Sequence, residues 1–311
     1  MSGATDIPYG IAEIDSAVLR RRRHYGAFFG LDPLPARFGV VVGNCQAESL
    51  RIVLDAPGRP LVRVPPVHEM SAAEADRLHE VVSHAAYVVS QPIRHDYRDL
   101  PLGTAQLAGS LAAGARLVTV PSVRFTGLHP FQAAIRVPGV EGDPPLVAYH
   151  DVRLLAEVAG SPVWPMLPPD GVRAVADDAL AELRRREADI DVPVSDLFSP
   201  LTADHMRTVN HPGNAVWLPL AARVIDALGL EGEPTDPGRP LLASVRAPLE
   251  SWIVEAWDLL DAPRDHWLVD GAPVTTDAVR EAHRAWYAAH PGFVDAAMAR
   301  LAPLVRRWRT A

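Results

Sequence analysis

The chain has 311 residues, of which 48% are hydrophobic and 22% charged, and its formal net charge is −8 at pH 7. This composition is typical of a globular protein with a large core, and the negative charge argues against a nucleic-acid partner. All 30 basic residues are arginine, which excludes a lysine nucleophile, a Schiff base and a P-loop lysine.

The chain carries no sequence signal for a membrane or for secretion. No stretch approaches the roughly 20 apolar residues of a membrane-spanning helix, and residues 1–26 lack the order of charged and apolar regions that defines a secretory signal. A single cysteine cannot form an internal disulfide bond. We therefore expect a cytoplasmic protein in a reducing environment.

From residue 38 onward, predicted strands and helices alternate. Short apolar, β-branched runs predict buried strands at 38–43, 85–91 and 115–122. Helical spacing predicts helices at 46–54, 71–84 and 104–114, the second opening on a capping box of Ser71 and Glu74 and the third closing at Gly114. This alternation predicts an α/β fold, in which helices flank a parallel sheet.

The C-terminal half is predicted to be rich in helices. Helical patterns cover 171–190, 213–229, 247–260, 276–289 and 292–308. A Pro/Gly-rich break at 230–242 is the best candidate for a boundary. We expect an N-terminal extension (1–37), an α/β core (38–230) and a helical C-terminal extension packed on that core (231–311).

The only cysteine lies at a predicted strand-to-helix turn. In an open α/β sheet, ligands bind at the carboxyl ends of the strands, and residues 43–46 occupy that position after the first strand. The N-terminus of a helix favours a thiolate and offers N–H groups to an oxyanion. Cys45 is therefore a candidate nucleophile in a nucleophile-elbow arrangement, although a buried cysteine that packs as a small apolar residue remains an alternative.

A cysteine nucleophile needs a base, and His211 is the candidate among 12 histidines. The proline after His211 favours an extended backbone at the histidine, and the following Gly213-Asn214 begins a predicted helix. A loop histidine that caps this helix is the competing interpretation.

Polar turns follow the other two predicted strands and carry arginine and histidine side chains. Arginine forks suit phosphate groups, so these turns are predicted to hold an anionic or hydroxyl-rich ligand. The candidates are Gln91, Arg94, His95, Arg98, Arg124 and His129. The sequence lacks GxGxxG after the first strand and lacks HExxH, so we expect neither a dinucleotide fold nor a metal site.

Taken in order, these turns resemble the WcbI-type family of polysaccharide-biosynthesis acetyltransferases. The resemblance rests on the Gly43-Asn44-Cys45-Gln46 turn, on the Gln91-Pro92…Tyr97-Arg98…Leu100-Pro101 turn, on the Pro121…Phe125…Gly127…His129-Pro130 turn and on Asn210-His211-Pro212. It covers residues 38–230. The cysteine turn also resembles the serine block of SGNH-type esterases, which implies a three-layer SGNH-like or flavodoxin-like core.

The resemblance implies an acyltransferase that uses coenzyme A or acetyl-CoA as a co-substrate, with a saccharide or another small molecule as acceptor. Cys45 and His211 would be catalytic, with Asp204 as a candidate to orient the histidine. Gly43, Asn44, Gln46 and Asn210 would contact the oxyanion or the acyl carbonyl. The remaining candidates would bind substrate or coenzyme A, namely Gln91, Arg94, His95, Arg98, Arg124, His129 and Asn214.

Two other functions remain open from the sequence. An esterase or thioesterase would use the same residues with water as the acceptor. A non-catalytic binding protein on the same fold is the third reading, because no acidic partner of His211 is evident. The amphipathic stretch 285–310 leaves a homo-oligomer open.

Overall fold

The protein is described here by a computed structural model, which covers residues 9–161 and 163–308. The chain forms two compact units. The first unit contains Met1–Ser122 and Leu220–Asp236, and the second contains Val123–Pro219 and Pro237–Ala311. Each unit therefore joins separate stretches of chain. The linear division into an extension, a core and a C-terminal extension stays a prediction.

The described residues contain ten helices and eleven strands. The helices are α1 (Tyr9–His24), α2 (Cys45–Leu54), α3 (Ala72–His84), α4 (Thr104–Ala108), α5 (Val152–Val158), α6 (Pro169–Arg186), α7 (Asn214–Leu228), α8 (Ser251–Trp257), α9 (Thr276–Ala289) and α10 (Phe293–Trp308). The strands are β1 (Gly39–Val42), β2 (Leu61–Val62), β3 (Tyr87–Ser90), β4 (Arg116–Thr119), β5 (Gln132–Ala133), β6 (His150–Asp151), β7 (Met206–Thr208), β8 (His211–Pro212), β9 (Val245–Arg246), β10 (His266–Val269) and β11 (Ala272–Thr275). Short 3₁₀ helices cover Val67–Glu69 and Ser195–Phe198.

A parallel sheet organises the first unit and confirms the predicted α/β fold. Its strand order is β2-β1-β3-β4, and all its pairs are parallel. Val40 and Val88 are partners across β1 and β3, and both side chains are completely buried. Helix α3 begins with the predicted capping box and buries Leu78 against this core. Phe28 joins the same core, so the residues before β1 contribute to the unit's packing.

Two predicted helices are shorter in the structure than the pattern indicates. Helix α4 ends at Ala108 and not at Gly114, and the hydroxyl of the following Ser110 hydrogen-bonds the His79 ring at 2.6 Å. Helix α8 begins only at Ser251, because the preceding segment pairs with other chain segments and cannot be helical. Leu249 pairs in an isolated bridge with Arg264, and Val245–Arg246 forms β9.

The second unit combines short antiparallel pairs with helices. The pairs are β5-β6 and β7-β8, and a three-stranded sheet has the order β11-β10-β9. One apolar core contains Tyr149, Val209 and Trp267, and another contains Tyr287 and Phe293. Over the described ranges, every helix is too short or too polar to cross a membrane.

Candidate functional site

Cys45 is the first residue of helix α2 and follows β1 directly, as predicted. Its side chain is exposed and is not part of a disulfide bond. Asn44 caps the helix, because its side-chain Oδ1 accepts a hydrogen bond from the backbone N–H of Gln46 at 2.9 Å. The thiol therefore lies at the carboxyl edge of the sheet, where ligands of open α/β folds bind.

A buried glutamine from β3's end fixes the cysteine turn. The Gln91 side chain accepts a hydrogen bond from the backbone N–H of Asn44 at 2.9 Å and donates one to Gln46 Oε1 at 3.2 Å. A Cβ at position 43 would lie 2.3 Å from Gln91 Oε1, so Gly43 is required by this close approach. Asn44 and Gln46 thus form hydrogen bonds that hold the turn in place. Their predicted contacts with an oxyanion stay predictions.

The pKa of the Cys45 thiol is raised above its ordinary value, mainly because neighbouring groups displace water from the sulfur. Hydrogen bonds from the backbone N–H groups of Cys45 and Gln46 lower the pKa, and the charge of Glu69 raises it. The helix N-terminus alone therefore does not provide a thiolate near neutral pH. A thiol in this state needs a general base to react as a nucleophile.

The loop after β3 is joined to the cysteine turn by the 3₁₀ segment Val67–Glu69. Arg98 Nη1 donates a hydrogen bond to the backbone oxygen of His68 at 2.7 Å, and the backbone N–H of Val67 donates one to Gly43 O at 3.0 Å. Asp96, Arg98 and Asp99 all have positive φ, between 49° and 62°. Such strained backbone is concentrated at functional sites.

Two more predicted ligand residues lie in this loop with exposed side chains. The Arg94 guanidinium lies 5.9 Å from the ring centroid of Tyr97. The His95 ring lies 3.0 Å from the carboxylate of Asp96. The first unit thus brings the cysteine turn and Gln91 together, and it leaves Arg94 and Arg98 as exposed cations on the neighbouring loop.

His211 lies in the second unit, in the short β7-β8 pair, and α7 begins at Asn214 as predicted. Its Nε2 atom lies 3.2 Å from the hydroxyl of Tyr149, which donates its own hydrogen to Asn210 Oδ1 at 2.8 Å. The tyrosine oxygen therefore accepts from His211, which places the imidazole hydrogen on Nε2. His211 Nδ1 is buried and has no hydrogen-bond partner among the described residues.

Burial lowers the pKa of His211 to about 4. The ring is consequently neutral at pH 7, with the lone pair of Nδ1 available to accept a proton. The prediction that Asp204 orients His211 is wrong. Asp204 forms an ion pair with Arg207 at 2.7 Å, and its second oxygen accepts from Ala215 N at 2.9 Å. The carboxylate holds the start of α7, and Tyr149 takes the orienting position.

The hydrogen bonds of three further predicted residues go to backbone groups and not to the His211 ring. Arg124 is exposed, and its Nη2 is 3.5 Å from Ala134 O. Burial lowers the pKa of His129 to about 4, and its Nε2 lies 3.3 Å from Met206 O. The Asn214 amide binds the backbone at 239–241, donating to one carbonyl and accepting from one N–H. These contacts give His129 and Asn214 structural roles, and their ligand contacts stay predictions.

Tyr149 was missed by the sequence reasoning. It lies in an irregular stretch before β6, 62 residues from His211, and no motif spacing connects them. The one available signal is local: a Tyr-His-Asp run at 149–151 ends an otherwise polar, Pro-rich loop. In the described ranges, no group of three or more histidine, cysteine or acidic residues is arranged to hold a metal ion.

Comparison with known proteins places this geometry in context. The family described as "polysaccharide biosynthesis enzyme WcbI" matches residues 38–233. A solved structure described as WcbI, a polysaccharide biosynthesis enzyme, has a TM-score of 0.72 and 20% identity, and the match covers 88% of this chain and 99% of the other. That structure is of native protein without a disulfide bond between coenzyme A and one of its cysteines. At this identity the likeness shows the fold alone. No curated protein sequence matches the chain significantly.

Proposed function

We propose, because the chain belongs to the WcbI family of polysaccharide biosynthesis enzymes, that it transfers an acetyl group from acetyl-CoA to a hydroxyl group of a saccharide or another small molecule. The observation that carries this proposal is the exposed thiol of Cys45, which lies at the first turn of α2 on a turn locked by Gln91. The structural neighbour's description in terms of coenzyme A and a cysteine supports the choice of donor.

The loop beside the cysteine turn supports a phosphate-bearing donor. Arg94 and Arg98 have exposed guanidinium groups, and Arg98 is anchored to the segment that contacts the cysteine turn. Arginine presents several donors in a rigid fork that matches phosphate oxygens. We propose that these two side chains bind the phosphate groups of acetyl-CoA.

In the proposed reaction, the sulfur of Cys45 attacks the thioester carbonyl of acetyl-CoA. A carbon–sulfur bond to Cys45 forms, the bond to the coenzyme A sulfur breaks, and free coenzyme A leaves with one proton. The acceptor hydroxyl then attacks the acetyl-cysteine, forming the ester and restoring the thiol. Both steps move a proton, so a general base is required.

We propose His211 as that base, with Nδ1 as the accepting atom. Within the described part of the chain this nitrogen has no hydrogen-bond partner, and the hydrogen bond between Nε2 and Tyr149 holds the ring in one tautomer. An imidazole with its pKa lowered to about 4 is a weaker base than an ordinary histidine, but it is neutral at pH 7 and so has a free lone pair to accept a proton.

Calorimetric titration with acetyl-CoA and with free coenzyme A tests the donor. We expect both to bind with Kd values on the order of micromolar, and we expect the Arg98→Ala variant to bind each about tenfold more weakly. Absence of binding for both would contradict the proposal. Product analysis separates transfer from hydrolysis: acetate release at full rate without an acceptor would indicate an esterase or thioesterase.

The His211→Gln and Tyr149→Phe variants test the base and its positioning residue. Glutamine retains a nitrogen near the Nε2 position but lacks Nδ1, so we expect kcat to fall by about 10²–10⁴-fold. Phenylalanine leaves His211 in place but removes the hydrogen bond that fixes its tautomer, so we expect kcat to fall about tenfold. Acetyl-CoA affinity should be unchanged in both. Imidazole ¹⁵N NMR should show a mixed tautomer in Tyr149→Phe and a single Nε2–H tautomer in the natural protein. A single tautomer in both proteins would remove Tyr149 from this role.

A further inference from the structure

The second unit contains a cavity of about 980 Å³, which we call the second-unit cavity. Among the residues predicted to form the site, only His129 lines it, and neither His211 nor Asn210 does. The volume is at the upper end of the range for pockets that bind drug-sized molecules. Its described wall combines aromatic rings, paired charges and the start of α8.

The charges in the wall exclude a polyanion as the natural occupant. Of the described lining residues, three are arginines and four are carboxylates: Arg153, Arg264, Arg280, Asp151, Glu157, Glu250 and Asp265. Arg280 pairs with Glu157 at 2.8 Å, so these two charges cancel. A wall without excess positive charge does not attract phosphate groups electrostatically. We therefore do not expect the phosphate groups of acetyl-CoA to bind in this cavity.

Arg153 organises the polar part of the wall. Its guanidinium binds Asp151 at 2.8 Å and Glu250 at 2.9 Å, and it lies 4.7 Å above the ring of Phe131. Trp252 donates its indole N–H to Glu250 at 2.7 Å. Each carboxylate oxygen can accept more than one hydrogen bond. The cluster of Arg153, Asp151 and Glu250 is therefore pre-arranged, carries a net charge of −1, and can accept hydrogen bonds from hydroxyl groups.

Arg264 supplies hydrogen-bond donors on the same wall. Its Nε donates to His266 O at 3.2 Å and its Nη2 to Ala247 O. No carboxylate in the described part of the chain lies within ion-pair distance of this guanidinium. Together with the half-buried Trp252, the wall offers acceptors, donors and an aromatic face. This combination suits a sugar, whose hydroxyls both donate and accept and whose C–H groups pack on aromatic rings.

We infer that the second-unit cavity binds a neutral sugar unit of the acceptor, an inference that rests on the proposed acetyl transfer. Two residues that line the cavity also contact residues next to the proposed base. Trp267 lines the cavity and stacks on Tyr149, with ring centroids 6.2 Å apart, and Tyr149 contacts His211. Gln132 also lines the cavity and accepts from the N–H of Val209 at 2.8 Å.

Because aromatic rings separate the cavity from His211, the sugar held there is not the one that reacts. The cavity is an anchoring subsite, and the reacting hydroxyl belongs to another part of the same acceptor. Changes in the cavity should therefore alter KM for the acceptor much more than kcat, and they should leave acetyl-CoA affinity unchanged.

Saturation-transfer-difference NMR and calorimetry on the full chain test this inference. The probes are the neutral trisaccharides maltotriose, cellotriose and mannotriose, with ADP as a polyanionic comparator. We expect at least one trisaccharide to bind with a millimolar or lower Kd, and ADP not to compete with it. In Trp252→Ala the affinity should fall at least tenfold. Trp164→Ala is the matched control, because Trp164 is exposed and does not line the cavity. The affinity of Trp164→Ala for the trisaccharide should stay within twofold of the natural protein's affinity.

A second variant tests the inference independently if Trp252→Ala does not fold. Ser251 is exposed at the first turn of α8 and lines the cavity, so Ser251→Trp narrows the cavity without removing a buried contact. It should abolish trisaccharide binding. The inference is overturned if no trisaccharide binds, if binding survives in both cavity variants, or if ADP displaces the sugar.

Acetyl-CoA titration of the same proteins separates this inference from the proposed function. If acetyl-CoA binds and no trisaccharide does, the cavity assignment fails and the transferase proposal stands. If a trisaccharide binds in a Trp252-dependent manner and acetyl-CoA does not bind, the sugar site stands and the donor is wrong.

Discussion

Replacement of Cys45 by alanine is expected to lower kcat for acetyl transfer by about a thousandfold or more, with acetyl-CoA affinity changed less than threefold. The covalent route requires the sulfur in both half-reactions, and no other described side chain in the chain is a thiol. The side chain is exposed and forms no part of the core, so its truncation should not unfold the first unit.

Mass spectrometry of the natural protein provides a direct readout. After brief incubation with acetyl-CoA and no acceptor, the intact protein should gain the mass of one acetyl group, located by peptide mapping at Cys45. The Cys45→Ala protein should gain none. Cys45→Ser is the matched control, because it keeps the size and polarity of the side chain but is a poorer nucleophile. Full activity of Cys45→Ala would remove the cysteine from the mechanism and indicate direct transfer to the acceptor.

The raised pKa of Cys45 determines how the reaction should depend on pH. A thiol whose pKa lies above its ordinary value is protonated near neutrality, and the fraction present as thiolate increases as the pH rises. Acetylation of Cys45 should therefore accelerate from pH 7 to pH 9. At pH 7 the Glu69→Gln variant should be acetylated faster than the natural protein, because removal of that negative charge lowers the pKa of the thiol and increases the thiolate fraction.

The sheet of the first unit was predictable because its signals are local. Short β-branched runs mark β1, β3 and β4, and the capping box at Ser71 marks the start of α3. The pairs in the second unit have only two to four residues each, and such short strands carry too little periodicity to be recognised. The discontinuous units could not be predicted at all, since Leu220–Asp236 joins the first unit through tertiary contacts.

The sequence predicts the candidate reactive residues, because they lie at turns that glycine and proline mark. It does not predict the residues that contact them. Cys45 and His211 stand next to glycine and proline, which mark turns in any sequence. The partner of His211 is Tyr149, whose position follows from packing against Trp267. The second-unit cavity is assembled from short stretches spread between residues 128 and 280. Contacts at such separations depend on the folded chain and leave no spacing in the sequence.

The second unit is expected to lose most of its stability between pH 6.5 and pH 4. Burial lowers the pKa of His129, His150 and His211 from 6.5 to about 4. Each is neutral in the folded state, whereas the unfolded chain binds protons there below pH 6.5. Protonation of the unfolded state therefore reduces the free energy of unfolding as the pH falls, by about 3 kcal/mol for each histidine when pH 4 is reached. Three such losses fall within the total stability of an ordinary domain, about 5–15 kcal/mol.

Urea unfolding followed by tryptophan fluorescence at pH 7, 6, 5 and 4 measures this effect. His150 is 1% exposed, and its Nδ1 lies 2.8 Å from the hydroxyl of Tyr287. In His150→Asn an amide replaces the titrating ring, so the protein should be less stable at pH 7 but should lose only about two thirds as much further stability on acidification. His84→Gln is the control, since His84 is exposed at the end of α3 in the first unit. Its pH dependence should match that of the natural protein. A free energy of unfolding that stays constant from pH 6.5 to 4.5 would contradict the lowered pKa of all three histidines, and would mean that water reaches their rings.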